Sequence, residues 1–443
     1  MNDRNKPDAS IHHSSLTTHN SLVPRLRFPE FLKSGEWEER LLGTQGDFLS
    51  SLSGKTAKDF DVGNAKFIPY MNVFSNTFSD IRDLRAVDVT EGESQNAVAE
   101  GDVFFTVSSE TPEEAGMSSV LLEAIDNCYL NSFCAMFRFY NKRSPNPVFL
   151  GYWLRSGLVR AHLSRGAQGA TRYNISKPVF REVPLLLPPP LEQQKIADCL
   201  WSLDALIAAQ ADKIDALKTH KKGLMQQLFP REGETVPRLR FPEFRDAGEW
   251  VSRKLSKLLK KVVDPVTVED DQIYREVGIR SHGKGIFHKE PISGKAIGNK
   301  RVFWIEENTL IVNIVFAWEL AVANTTEAER GMIASHRFPM YRPKENKADV
   351  RYMKYFFLTH KGKELLWIAS PGGAGRNKTL GQKDFESLEV LIPERLTEQQ
   401  KIADCLSSVD ELIDAQMEKL DTLKDHKKGL MQQLFPGSEG VAT

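Results

Sequence analysis

Two glycine-rich polar stretches hold the residue types that could do chemistry. One runs from Ser164 to Ser176, SRGAQGATRYNIS, and the other from Ser370 to Leu380, SPGGAGRNKTL. Their Arg, Asn, Gln, Lys and Thr side chains can donate to phosphates and base edges, and glycine lets backbone come close to a ligand. The candidates are Arg165, Gln168, Thr171, Arg172 and Asn174 in the first stretch, and Arg376, Asn377 and Lys378 in the second. Arg280 and Lys284 add cations from a polar loop upstream of the second. This is binding chemistry rather than catalysis. Such loops are common, and a mere connection is the plain alternative. The weight comes from their falling at the same point of two otherwise different domains.

Catalytic patterns are missing. Gly54-Lys55-Thr56 resembles the tail of a phosphate-binding loop, but Leu49 stands where the first glycine belongs. There is no GxGxxG, no HExxH and no Asn/Asp-Pro-Pro-aromatic tetrapeptide. His282 and His288 lack a carboxylate pattern that would make a metal site, and His12, His13 and His19 lie in a polar lead-in. No catalytic residue and no metal ligand is expected. Cys128, Cys134, Cys199 and Cys405 form no CxxC pair, which fits a reducing cytoplasm. No apolar run is long enough for a membrane span, and Met1–Asn20 has no signal core.

The net charge of zero hides local differences. Residues 38–130 hold 6 basic and 17 acidic side chains, 131–188 hold 9 and 1, and 251–393 hold 24 and 17. A nucleic-acid reader needs local positive surface rather than a basic whole. Charge alone leaves solvated faces equally open.

The elements that must position these stretches are written twice. Residues 193–230 and 399–436 share 29 of 38 positions at an offset of 206. Each reads as one long helix of about 57 Å, with prolines just before it and Pro230 or Pro436 to stop it. The first seam is Ile196, Leu200, Leu203, Ile207, Gln210, Ile214, Leu217, Lys221, Leu224 and Leu228. The second is Ile402, Leu406, Val409, Ile413, Gln416, Leu420, Leu423, Lys427, Leu430 and Leu434. Steps of four and three give the coiled-coil period, so each helix is the obvious partner of the other. A parallel pair in register would set Lys221 against Lys427, so the pairing is expected to be antiparallel. A shorter repeat precedes each domain: Val23–Trp37 and Val236–Trp250 match at 12 of 15 positions.

The predicted architecture is α+β: two globular domains joined by two long helices in an antiparallel coiled coil, with an internal pseudo-twofold repeat. The boundaries are a disordered lead at 1–22, a first domain at 23–190, a helix at 191–230, linker and second domain at 231–395, a helix at 396–436 and a tail at 437–443. Strands are expected at 66–74, 102–107, 301–305 and 309–316, and helices at 148–163 and 348–367. The residues alone leave two readings open, a nucleic-acid reader and a coiled-coil adapter whose domains bind proteins.

Two variable domains, each followed by a helix opening with EQQKIADCL and closing with KKGLMQQLFP, resemble the specificity subunit of type I restriction-modification enzymes. The RFPEF motif at Arg27–Phe31 and Arg240–Phe244 is similar to that family too. The resemblance implies that each domain is a target recognition domain reading half of a split double-stranded DNA sequence. It implies that the helices set the gap and dock two methyltransferase subunits, which motor-nuclease subunits join. It also implies a chain without catalysis or cofactor of its own, S-adenosylmethionine, ATP and Mg belonging to the partners, in a prokaryotic cytoplasm.

Overall fold

The computed structural model describes residues 22–90, 92–141, 145–372 and 378–437. The lead-in before Leu22 and the tail after Gly437 lie outside the described residues. The chain divides into two compact units, one made of residues up to Ala209 with those from Leu420 onward, the other of Gln210–Lys419. Each unit holds one globular domain, the first half of the helix that follows it and the second half of the other helix. Among the described residues no helix is long and apolar enough to cross a membrane.

The long helices are Pro190–Leu228 and Leu396–Leu434, 39 residues each. They stop two residues short of the prolines expected to end them, because the residue before a proline is pushed out of helical geometry. Phe229 and Phe435 turn into the cores instead. Phe229 packs on Trp250 and Tyr352, and Phe435 on Trp37, Phe149 and Trp153. Along the helices, Ile196, Leu200, Gln210, Ile214 and Leu228, with Ile402, Leu406, Ile413 and Leu434, are buried. Leu203, Ile207, Leu217, Lys221 and Leu224, with Val409, Gln416, Leu420, Leu423, Lys427 and Leu430, are half-buried.

The pairing is antiparallel. In the second unit Gln210 Nε2 donates to the Gln416 backbone oxygen at 3.0 Å and to its Oε1 at 3.1 Å, and Lys221 reaches Asp410. In the first unit Lys427 reaches Asp204 at 2.6 Å. The seam lysines therefore meet carboxylates rather than each other. Each aspartate also receives a phenol from its own unit's domain, Tyr152 on Asp204 and Tyr355 on Asp410, both at 2.7 Å. Burial first, then the carboxylate, raises both phenols above their usual range, so they remain donors.

The repeated EQQ at each helix start has a structural reason. Glu192 and Glu398 are buried and bind the arm arginines Arg27 and Arg240 in bidentate pairs. Each arginine also donates to a glycine carbonyl, Gly35 or Gly248, at 2.6 Å. Both glycines have φ in the left-handed region, +74° and +78°, which most side chains disfavour. The side-chain oxygens of Gln193 and Gln399 accept the backbone N–H of Asn146 and Asp349, and their amides donate to Pro188 and Pro393.

The domain between arm and helix begins and ends on one two-stranded pairing. Glu38–Leu41 runs antiparallel to Pro184–Leu187, and Val251–Lys254 to Glu389–Ile392. The first domain has a four-stranded antiparallel sheet ordered Gly46–Leu49, Cys134–Phe139, Val103–Thr106, Ser118–Val120. A second sheet sets Phe60–Ile68 between Arg85–Val87 and a parallel neighbour, Cys128–Leu130. The main sheet of the second domain is ordered Leu259–Val262, Met340–Pro343, Leu310–Val312, Val322–Asn324.

Local differences from the sequence expectations have local causes. The strand placed at 66–74 ends at Ile68, and Tyr70–Ser75 is helical, because Pro69 cannot continue the ladder. The helix at 148–163 is two, Pro147–Leu154 and Gly157–Gly166, broken where Ser156 is extended. The helix at 348–367 is also two, Val350–Leu358 and His360–Ile368, with the Thr359 hydroxyl capping Gly362 N–H. The strands at 102–107 and 301–305 shorten to Val103–Thr106 and Val302–Trp304, and the one at 309–316 ends at Val312.

Two stability outcomes follow. Arg240→Ala strands the buried Glu398 carboxylate and should lower unfolding stability by about 3–5 kcal/mol, whereas Arg240→Met with Glu398→Leu should recover most of it; denaturant titration reads both. Lys354 lies 4.0 Å from Asp410, and burial pushes its ammonium down to about 8, Asp410 only partly offsetting this. A folded pKa below the unfolded one means the penalty is fully present below about pH 8 and fades as pH rises through about 10.5. Lys354→Met should therefore stabilise by about 1–3 kcal/mol near neutral pH, and unfolding curves should show the gain shrinking above about pH 8.

Candidate nucleic-acid interface

In the first domain the glycine-rich stretch is a small hairpin set on the sheet. It leaves the helix Gly157–Gly166 and closes where Gln168 and Asn174 exchange backbone hydrogen bonds of 2.9 and 2.8 Å. Gly169, at φ +147°, is required there, since a Cβ would sit 2.0 Å from the Arg172 carbonyl oxygen. Tyr173–Asn174 then pairs antiparallel with Ser108–Ser109. The hairpin brings Gln168, Thr171, Arg172 and Asn174 together, with Thr171 and Arg172 exposed. Arg165 stands apart on the helix end, its Nε bonded to the Ala161 carbonyl of its own helix at 3.1 Å.

Arg172 overlooks a hollow of about 340 Å³ walled by Tyr70, Met71, Phe133, Glu110 and Glu114. Sequence reading missed these walls. They come from separate parts of the chain, and none belongs to a local motif. Met71 and Phe133 stand out only in the structure, where they are 57% and 59% exposed.

The basic tally over 131–188 overstates the free cations. Arg155 is turned inward onto the Ser118, Val73, Phe74 and Asn76 carbonyls, and Arg160 onto the Gly116, Glu113 and Ala115 carbonyls. Burial lowers both guanidinium groups to about 10, still charged at neutral pH. Arg138 is paired with buried Asp102. Arg172 has no side-chain partner among the described residues.

In the second domain Arg376 and Asn377 lie outside the described residues. Lys378 is described, its ammonium 3.0 Å from the centre of the Trp367 ring. Trp367 meets Trp318 edge-on, and the adjoining Glu319 carboxylate accepts Ser281 Oγ at 3.0 Å. The turn carrying Arg280 and Lys284 is further held by His282 N–H on the Glu319 carbonyl and Gly283 N–H on the Leu320 carbonyl. Arg280 lies over the Phe287 ring at 4.8 Å. One connected strip thus brings Lys378, Arg280 and Lys284 onto neighbouring elements. A hollow of about 1070 Å³ in this unit is lined by the long helix, residues 230–234 and the 356–365 corner, with His282 and Gly283 on its edge and none of residues 370–380.

No cluster of three or more His, Cys, Asp or Glu capable of holding a metal occurs among the described residues. His288 bonds Glu329 at 2.9 Å; burial would raise that carboxyl, but His288 and Thr326 hold it below the usual range. Burial pushes the Cys128 and Cys134 thiols up to about 11 and about 12.

Two α+β domains of different sequence, each clamped by the same contacts to antiparallel halves of the two long helices, define a two-domain protein with one polar loop surface per domain. The family profile described as type I restriction modification DNA specificity domain matches residues 35–219 and 286–425. The chain belongs to that family. It is 24% identical over 424 residues, 92% of this chain and 95% of the relative, to the protein proposed as the MjaX specificity subunit of a type I restriction enzyme in Methanocaldococcus jannaschii. It is 22% identical over 318 residues to the type I restriction enzyme MjaVIII specificity subunit of the same organism, 66% of this chain and 69% of that one. Its fold is similar to the crystal structure of the type I restriction-modification S subunit from M. genitalium, with TM-score 0.52 and 13% identity over 94% of this chain and 99% of that one.

The partition of arginines is testable. Arg155→Ala leaves four carbonyls without their donor and should cost about 3 kcal/mol. Arg172→Ala should leave the melting temperature nearly unchanged, since its side chain makes no hydrogen bond or ion pair among the described residues. Thermal unfolding of the two variants against the parent checks the pair.

Proposed function

We propose that each domain of this specificity subunit reads one half of a split, asymmetric double-stranded DNA target. The long helices set the gap between halves and dock two methyltransferase subunits, which motor-nuclease subunits join. The chain supplies recognition. S-adenosylmethionine, ATP and Mg belong to the partners, which carry out adenine methylation and cleavage.

The observation that carries this reading is a repeated mount under two domains of different sequence. Arg27–Glu192 matches Arg240–Glu398, and Lys427–Asp204–Tyr152 matches Lys221–Asp410–Tyr355. The main four-stranded sheets above them share one strand order, first, fourth, second, third along the chain, but their residues and the smaller sheets beside them differ. Identical readers on a symmetric frame would suit a palindrome, whereas unlike readers suit two different half-sites. The exposed donors Thr171, Arg172, Asn174, Arg280 and Lys284, with Gln168, Arg165, Lys378, Arg376 and Asn377, are the proposed DNA-facing set.

Because Glu38–Leu41 and Pro184–Leu187 lie side by side, residues 38–190 can be exchanged for another family member's domain while the Arg27–Glu192 clamp and both long helices stay in place. Expressed with its methyltransferase partner, such a chimaera should change one half of the methylated sequence and leave the other half intact. Mapping methylated adenines genome-wide reads this directly. A change in both halves would show that the domains are not independent readers.

A further inference from the structure

The hollow beside Arg172 pairs a free guanidinium with a free carboxylate. The ladder Tyr173↔Ser109 and Asn174↔Ser108, continued by one residue, sets Arg172 across from Glu110. Directly opposed side chains in an antiparallel pair stand about 5 Å apart. Both are exposed, yet among the described residues neither forms an ion pair or a side-chain hydrogen bond. An exposed ion pair is worth at most about 1 kcal/mol, so leaving it open costs little. Glu114 is not equivalent, because it accepts Ser109 Oγ at 3.2 Å. The walls are fixed. The Tyr70 hydroxyl donates to the Ser108 carbonyl at 2.6 Å, and the Tyr70 ring stacks on Phe74.

A carboxylate on a DNA-facing surface is repelled by phosphate unless a base gives it a donor. In the major groove the cytosine N4 amine is that donor. Adenine sets its N7 acceptor beside its N6 amine, which would repel a carboxylate. Guanine offers O6 and N7 to an arginine. We infer that Arg172 and Glu110 together read one C·G base pair, Arg172 on the guanine and Glu110 on the cytosine amine, with Met71 and Phe133 closing the hollow against water. This rests on the reading that the first domain contacts DNA.

The test is methylated-adenine mapping in cells carrying the full chain with its methyltransferase partner, for the parent, Arg172→Ala and Glu110→Gln. The half-target changed by exchanging residues 38–190 should contain a fixed C·G pair. Arg172→Ala should relax that position and lower methylation of the parental site about 10- to 100-fold. Glu110→Gln should move the preference there toward A·T, because glutamine pairs with adenine N6 and N7. A changed preference cannot arise from a misfolded protein. The inference is overturned if that half-target lacks C·G, or if both variants keep the parental sequence and its methylation level. If the domain exchange itself changes neither half, the reading of the domain as a DNA reader fails instead.

Discussion

A lysine set into an apolar seam must find a counter-charge. In this chain that requirement orders much of the rest. Lys221 and Lys427 occupy seam positions, and only antiparallel pairing brings each beside an aspartate of the other helix, Asp410 and Asp204. The same aspartates take phenols from the domain helices, Tyr355 and Tyr152. One half-buried carboxylate thus joins both long helices and the domain at each junction. Replacing such a site by hydrocarbon could give a more stable stalk. It would lose the polar matching that distinguishes one pairing of the helices from another.

The buried arginine–glutamate clamps fix the arms in the same way. Arg27 and Arg240 are held by a carboxylate and a glycine carbonyl whose left-handed backbone keeps it in place. Arginine suits this role because its planar fork meets the carboxylate on two sides and still has a donor left for the carbonyl. The nearly identical arms and helix starts are therefore two halves of one contact, far apart in sequence and adjacent in the fold.

The long helices, their seams and the twofold repetition were legible because they are periodic and local. The helix break at Ser156 was not, since it depends on a tertiary corner, and the one at Thr359 rests on a single hydroxyl cap on the Gly362 N–H inside an otherwise continuous apolar pattern. At the first, Arg155 ties carbonyls from residues about 40 and 80 positions away. The strand order within the domains was not legible either, because short strands separated by long loops leave no period to follow. The loops could be found from glycine and donor content. What faces Arg172 could not, because Glu110 is brought there by a strand register rather than by a motif. The charge tally misled in one respect: two arginines counted toward a basic surface, Arg155 and Arg160, are turned onto internal carbonyls.

The division of the chain into units has a consequence for how it is made. The second unit is one continuous stretch, Gln210–Lys419. The first unit is not, since Leu434 and Phe435 belong to the same core as Trp37, Phe149 and Ile196. As the chain leaves the ribosome, the domain synthesised first waits with an open aromatic cleft while the domain synthesised second is already complete in sequence. That cleft closes only when the last turn of the second long helix emerges. The core around Trp37 therefore lacks Leu434 and Phe435 until residues made after the whole of the second unit join it.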